Sequence, residues 1–86
     1  MTKKEYLDLI KEIGTAVRAA GIAYGRVFSD KRKSTGYRTK FWYVFGGGNK
    51  IETLRDVKNI AQSIGGDDID VIINYGDVII TPKKLC

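Results

Sequence analysis

The feature that most constrains this chain is a change of hydrophobic periodicity that occurs twice along its 86 residues. Each half begins with apolar residues at the spacing of an amphipathic helix and continues with aromatic or branched residues typical of strands. The elements therefore follow the order helix, strand, strand, helix, strand, strand. This order predicts a single α+β domain over residues 1–86, αββαββ, in which one four-stranded antiparallel sheet carries both helices on one face.

Both predicted helices have recognisable start and stop signals. Thr2 and Glu5 have capping-box spacing at the beginning of the first helix, and Gly21 provides a left-handed end. Asn49 is a suitable N-cap for the second helix, which Gly65 ends. One apolar stripe on each helix predicts the core: Tyr6, Ile10, Ile13, Val17 and Ala20 in the first helix, and Ile51, Leu54, Val57, Ala61 and Ile64 in the second.

The two predicted hairpins differ in their connections. In the first, the strands "IAYGRVF" and "YRTKFWYVF" are joined by the polar run "SDKRKSTG", which predicts a long charged tip. In the second, a two-residue turn at Tyr75–Gly76 would pair Ile73 with Val78. Pro82 ends the last strand, and the tail at 83–86 is expected to fray.

Strand alternation divides the side chains of the second strand between two faces. The apolar end of its outer face, together with the outward Ile72 and Ile79 of the second hairpin, is a candidate surface for homodimer formation. The other face is mostly aromatic and carries Tyr37, Thr39, Phe41, Tyr43 and Phe45, of which Phe41, Tyr43 and Phe45 are predicted to lie in the core. The outer face is basic towards the tip: Arg38, Lys40, Trp42 and Val44.

The positive charge of the chain is concentrated in one segment. Residues 22–48 contain six basic residues and one acidic residue, so their net charge equals the +5 of the whole chain. A concentrated surplus attracts anionic partners. The sequence therefore predicts a small basic module that binds the phosphates of RNA or DNA through the 26–40 hairpin, with aromatic residues that stack on bases. The expected binding residues are Arg26, Lys31, Arg32, Lys33, Tyr37, Arg38, Lys40 and Trp42.

Two other binding functions remain open from the sequence. The chain resembles small phage-encoded inhibitors of host defence, such as anti-CRISPR proteins, in its size and lack of motifs, and this implies binding to an acidic surface of a larger host enzyme. A second candidate is an anion site before the second helix, where backbone amides would meet a phosphate. It comprises Gly46, Gly47, Gly48, Asn49 and Lys50, without the full spacing of a P-loop.

Few residues are available for catalysis or metal binding. The chain has no histidine, and its one cysteine is the terminal Cys86, so neither an imidazole base nor a thiolate metal cluster is expected. We interpret the acidic cluster of Asp67, Asp68 and Asp70 as solvated residues rather than a cation site. The sequence predicts a non-enzymatic protein without metal or cofactor. Because no apolar run suits a signal peptide or a membrane span, we expect a cytoplasmic protein without a membrane partner.

Overall fold

The computed structural model, which describes residues 1–32, 36–45 and 50–85, confirms the α+β fold in αββαββ order. The strands form one antiparallel sheet in the order β1-β2-β4-β3, which remains the same when the two αββ halves are exchanged. β2 and β4 are therefore central, and β1 and β3 are edges. The elements are α1 (Lys3–Ala19), β1 (Ala23–Arg32), β2 (Gly36–Phe45), α2 (Lys50–Gly65), a short 3-10 turn (Gly66–Asp68), β3 (Ile69–Asn74) and β4 (Asp77–Pro82).

The predicted boundaries of α1 are confirmed. Thr2 Oγ1 accepts a hydrogen bond from the Glu5 N–H at 3.1 Å, and Glu5 Oε1 accepts one from the Thr2 N–H at 2.9 Å. Hydrogen bonding to Thr2, chiefly to its backbone N–H, lowers the pKa of the Glu5 carboxyl below its ordinary value of 4.5. Gly21 has a φ of 79°, as a left-handed helix end requires. Four residues of the predicted stripe are buried: Tyr6, Ile10, Ile13 and Val17. Ala20 is exposed because the helix has ended there, with Ala20 as its C-cap, so its assignment to the stripe is wrong.

α2 buries most of its predicted stripe but not the first residue. Ile51 is 61% exposed, so its assignment to the core is wrong, whereas Thr53 is only 4% exposed. Thr53 lines a concavity with Gly21 and Ile22, which follow α1. The first turn of α2 thus faces the end of α1 as well as the sheet, and this orientation buries Thr53 instead of Ile51. The rest of the stripe contributes to the core: Leu54, Val57 and Ala61 are buried, and Ile64 packs against them.

The second hairpin has the predicted register. Ile73 pairs with Val78 across the two-residue turn at Tyr75–Gly76. Tyr75 has a φ of 56°, a left-handed conformation that is uncommon for a residue with a side chain. The inner face of this hairpin is aliphatic, and four of its residues are at most 5% exposed: Ile69, Val71, Val78 and Ile80. Ile73, next to the turn, is 38% exposed.

The first hairpin has longer strands and a shorter connection than predicted. The backbone of β1 continues to Arg32, which pairs with Gly36 at the start of β2. Only residues 33–35 separate the strands, and they lie outside the described residues. The prediction of a long tip over 29–36 is wrong because polar residues near the end of an edge strand still pair through their backbone groups.

The alternation of β2 breaks near its end. Val44, which the sequence assigns to the outer face, is 1% exposed and belongs to the core. β2 pairs with β4 in the register Phe41–Val78, yet the Val44 N–H donates to the Gly76 carbonyl at 3.1 Å, one residue out of that register. An offset of this kind is typical of a β-bulge, which changes the direction of a side chain. The assignment of Val44 to the outer face is therefore wrong.

A buried polar network fixes α1 above the two central strands. The Tyr6 hydroxyl donates to the Ile80 carbonyl at 3.1 Å and lies 2.6 Å from Thr39 Oγ1, which is itself 2.9 Å from Ser29 Oγ. Burial raises the pKa of Tyr6 above its ordinary value of 10.0, and the hydrogen bond with Thr39 partly offsets this effect. Because each member has a partner, the network positions the helix without leaving a buried polar group unsatisfied.

The segment at 83–85, which the sequence predicts to fray, contacts the domain. The Lys83 N–H donates to the Asp68 carbonyl at 3.0 Å, and the Lys84 carbonyl accepts from the N-terminal ammonium of Met1 at 3.1 Å. Leu85 packs against the core. These contacts place the end of the described chain beside the start of α1 and the 3-10 turn.

Candidate nucleic-acid interface

The two helices cover one face of the sheet and leave the opposite face, here called the open face, without a helix. The strand register identifies a row across all four strands, in which Phe28 pairs with Lys40, Lys40 with Ile79, and Ile79 with Ile72. Side chains two residues away on each strand share this face. Among the residues whose side chains are described, this adds Arg26, Arg38, Trp42, Asp70, Asn74, Asp77 and Thr81 to the open face. Asp30, the strand partner of Arg38, belongs to the same face by its backbone.

The β1–β2 part of the open face is basic and aromatic. The Arg26 guanidinium carbon lies 5.0 Å from the centroid of the Phe28 ring, and Lys40 Nζ lies 6.0 Å from the same centroid. Both distances are within the range of cation–π contacts. Trp42 is the cross-strand partner of Arg26 and is 47% exposed. Cations and an accessible aromatic ring therefore lie side by side on one flat surface.

The β3–β4 part of the same face is acidic and aliphatic. Asp77 Oδ2 lies 3.8 Å from Lys40 Nζ, at the boundary between the two parts. Asp70 Oδ1 lies 3.8 Å from Lys83 Nζ. The open face thus has opposite charges at its two sides, so an anionic ligand would be attracted to β1 and β2 and repelled by β3 and β4.

The structure brings together only part of the predicted binding set. Arg26, Arg38, Lys40 and Trp42 share the open face, as alternation along the strands predicts. Tyr37 lies on the covered face instead. Its ring centroid is 6.3 Å from that of Tyr6, and Lys3 Nζ lies 5.3 Å from it. Tyr37 therefore does not belong to the same surface as Trp42.

The remaining predicted residues lie outside the described residues, either entirely or through their side chains. Lys33 and the glycine-rich residues 46–49 are among those outside. Lys31 and Arg32 belong to β1 by their backbone, and Lys50 begins α2, but their side chains are not among those described. The charged hairpin tip and the anion site at 46–50 therefore stay predictions.

The apolar patch on the open face is smaller than predicted. Val44 lies in the core, and Ile79 is only 6% exposed because it is flanked by Lys40 on β2 and Ile72 on β3. Trp42 and Ile72 remain exposed, the latter by 56%. The open face is consequently more polar than the sequence pattern indicates.

Two residues of this surface were missed by sequence reasoning. Phe28 reads as an ordinary strand residue, and its place between two cations emerges only when β1 is paired with β2. Asp77 follows a turn and reads as a solvated residue, but it contacts Lys40 across the sheet. The sequence did contain a signal for Phe28. It lies two residues after Arg26 on β1, and residues two apart on a strand share a face.

Other kinds of site find little support in the described part of the chain. No group of three histidine, cysteine, aspartate or glutamate side chains lies close enough there to hold a metal ion. Neither described helix has the length and apolar composition needed to cross a membrane. No known protein family, curated protein or solved structure matches this chain.

Proposed function

We propose that this protein is a non-enzymatic module that binds single-stranded nucleic acid on the β1–β2 part of the open face. One observation carries the proposal: Trp42 is 47% exposed on the same face as Arg26, Arg38 and Lys40. An exposed aromatic ring stacks on bases of any sequence, and lysine and arginine neutralise phosphates. A flat surface that combines the two suits a flexible polyanion with planar bases.

Sheet geometry favours a single strand over the groove of a duplex. A two-stranded ribbon fits a major groove about 12 Å wide. Here β2 pairs with β4 along Thr39, Lys40 and Phe41 as well as with β1, so the hairpin is part of a four-stranded sheet. With strands about 4.8 Å apart, that sheet is wider than such a groove. A single strand can instead lie along the open face with a base against Trp42.

The acidic β3–β4 part of the open face restricts where a nucleic acid can bind. Asp70 and Asp77 would repel phosphates, so the nucleic-acid backbone is expected to follow β1 and β2. Lys40 is already ion-paired with Asp77. Arg26, an exposed residue at the sheet edge, is therefore the cation from which we expect the largest single contribution.

Fluorescence of Trp42 provides a direct test because the chain contains one tryptophan. We expect a mixed-sequence single-stranded oligonucleotide to quench this fluorescence. Three phosphate contacts predict that the logarithm of the affinity falls with the logarithm of salt concentration at a slope of about −2, since each contact on a single strand contributes about −0.7. With a labelled oligonucleotide, Trp42→Leu should cost about 1–3 kcal/mol of binding free energy.

Arg26→Glu and Arg55→Glu form a matched pair for locating the site. Both arginines are exposed, but Arg55 lies on α2 and therefore on the covered side of the sheet. We expect Arg26→Glu to weaken binding strongly and to make the salt slope shallower, with a much smaller effect for Arg55→Glu. Absence of binding at low salt, or equal losses for the two variants, would contradict the proposal.

A second copy of the chain is the competing occupant of the open face. The observation in its favour is that one side of this face is basic and the other acidic. A twofold axis parallel to the strands would stack β1–β2 of one copy over β3–β4 of the other and bury Trp42 and Ile72. A dimer in sedimentation experiments that Ile72→Asp dissociates would support this use of the face, whereas a monomer at all concentrations would exclude it.

A further inference from the structure

A groove runs along the edge of the sheet between α1 and β1, on the covered side. Its widest part has a volume of about 540 Å³ and extends from Lys11 on α1 to Ser29 on β1. A second concavity also contains Lys11, and a third shares Arg18 and Tyr24 with the second. The three adjoin one another along most of α1. We call this continuous depression the α1–β1 groove.

The helix side of the α1–β1 groove carries a row of cations. Lys4, Lys11 and Arg18 are seven residues apart, a spacing that places them on one side of a helix. All three line the groove. Lys3 adds a fourth positive charge, and Asp8 is the acidic residue among those that line it. The rim is therefore positive over the length of α1.

The floor of the groove is apolar. Leu7 of α1 and Val27 of β1 line its widest part, and both are half-buried. Further along, a Cβ atom at Gly14 would lie 3.3 Å from the hydroxyl oxygen of Tyr24, so the absence of a side chain lets this ring approach the helix. The Arg18 guanidinium carbon lies 5.4 Å from the Tyr24 ring centroid. The groove thus combines an apolar base with a charged rim.

The strand side of the groove is an edge of the sheet. β1 pairs with β2 on one side, so alternate N–H and C=O groups of β1 point away from the sheet. Natural edge strands are protected by proline, bulges or charges directed to the covered face. Residues 23–29 contain no proline, and their one charged residue, Arg26, lies on the open face. On its covered side, this stretch of the edge therefore has neither a proline nor a charge of its own that would oppose another strand.

We propose that an extended acidic segment of a partner protein adds to β1 as a fifth strand, with its carboxylates beside Lys4, Lys11 and Arg18. The helix side and the strand side of the α1–β1 groove have similar lengths. Fourteen residues of helix separate Lys4 from Arg18, about 21 Å at 1.5 Å per residue. Residues 23–29 of β1 extend over about 20 Å at 3.3 Å per residue. The occupant is thus about six or seven residues long.

The chemistry of the groove selects a peptide over a nucleic acid. Strand addition satisfies the exposed backbone groups of β1, and the positive rim selects acidic side chains. The largest part of the groove has an apolar base that includes Leu7 and Val27, which suits the side chains of an extended peptide. This surface is separate from the open face, so the inference does not rest on the proposed function.

A capped, labelled octapeptide of alternating glutamate and valine is the probe for charge recognition. We expect it to bind in a fluorescence anisotropy titration, and we expect the same peptide with lysine in place of glutamate not to bind. The double variant Lys4→Glu/Lys11→Glu should weaken binding by about tenfold or more. The control Arg55→Glu/Lys58→Glu makes the same charge change on exposed residues of α2 and should change binding far less.

Two N-methylated forms of the same peptide test for strand addition. Only alternate residues of an added strand hydrogen-bond to its neighbour. Methylation of one alternate set of amides should therefore abolish binding, and methylation of the other set should preserve it. Backbone amide resonances of residues 23–29 should shift on binding of the unmodified peptide.

Four outcomes would overturn the proposal. The first is that the unmodified peptide fails to bind at low salt, and the second is that both methylated forms bind equally. The third is that the two double variants lose the same binding affinity. The fourth is that resonance shifts are confined to β3, the other edge strand. Displacement of the peptide by the oligonucleotide, together with loss of peptide binding in Arg26→Glu, would assign the peptide to the open face and equally contradict the inference.

Discussion

The two αββ halves of this protein have the same order of elements but different packing. In the second half, β3 and β4 are six residues each, and inner residues such as Ile69 and Val78 are fully buried aliphatic groups. In the first half, β1 and β2 are ten residues each, and inner residues of β1 such as Tyr24 and Val27 are only half-buried. Both halves contribute buried residues to the core, so they differ chiefly at their edge strands, and the first half supplies both candidate binding surfaces.

The contrast is clearest where each helix meets its edge strand. At the end of α2, a Cβ atom on Gly65 would overlap the Ile69 side chain, so the helix and β3 are in close contact. Beside α1, an open groove separates the helix from β1. A repeated topology thus does not require repeated packing. Aliphatic residues close one junction, and a helix side with Lys4, Lys11 and Arg18 leaves the other accessible.

The largest expected difference between the halves concerns two valines of the sheet. Val78→Ala removes two methyl groups from a fully buried site and should lower the free energy of unfolding by about 2–3 kcal/mol. Val27→Ala, at a half-buried site beside the groove, should cost about 1 kcal/mol or less. Urea unfolding of both variants measures the difference. Equal losses would show that the first half is packed as tightly as the second.

Two helix glycines sharpen the comparison at the helix–strand junctions. Gly65→Ala should lower stability by about 1–2 kcal/mol, because the new methyl group would overlap the fully buried Ile69 side chain. In Gly14→Ala, the close contact with Tyr24 opposes a helix-propensity gain of about 1 kcal/mol, so the net change should be near zero. Thermal unfolding measures both. A stabilising Gly65→Ala would contradict the close packing of α2 on β3.

Tyr6 tests the network that joins α1 to the central strands of both halves. Tyr6→Phe removes the hydrogen bonds to Thr39 and Ile80 and should cost about 1 kcal/mol. Because burial raises the pKa of Tyr6, its contribution to stability is fully present below the ordinary tyrosine value of 10.0. This contribution is lost as the pH rises through the higher folded-state value.

Urea unfolding between pH 8 and pH 11 should therefore show a steeper loss of stability for the unmodified chain than for Tyr6→Phe. Tyr75→Phe is the control, since the Tyr75 side chain is 93% exposed at the hairpin turn. We expect this control to follow the unmodified chain. A Tyr6→Phe variant with an unchanged alkaline slope would contradict the role of the buried hydroxyl.

The smallest expected effect concerns the ion pair at the boundary between the halves. Lys40 and Asp77 are separated by 3.8 Å and remain partly exposed. A double-mutant cycle with Lys40→Gln and Asp77→Asn should give a coupling free energy of about 0.5 kcal/mol that decreases with added salt. A coupling unchanged by salt would indicate that the pair is more shielded from solvent than its exposure suggests.

Sequence reasoning was most reliable for features that depend on residues close together in the chain. The capping box of Thr2 and Glu5, the end of α1 at Gly21 and the Tyr75–Gly76 turn are all confirmed. Each depends on spacing over a few residues or on a backbone conformation that few residue types adopt. The segregation of charge between the halves is equally visible in the sequence, and alternation along β2 already places Arg38 and Lys40 on one face.

The errors occurred where distant segments meet. Val44 turns into the core because its N–H bonds to Gly76 of the second hairpin. Ile79 is shielded on the open face because neighbours from two other strands flank it. Ile51 is exposed because α2 begins against the end of α1. None of these contacts can be read from alternation along one strand or one helix.

The sequence by itself determined the elements of this protein, their order and the concentration of positive charge in its first half. Periodicity, capping and turn chemistry act between neighbouring residues, so they are encoded locally. Only the tertiary structure decided that β2 and β4 are central, that Phe28 and Trp42 share the open face with Arg26 and Lys40, and that α1 and β1 enclose a groove. Pairing and packing between distant segments decide which side chains solvent can reach.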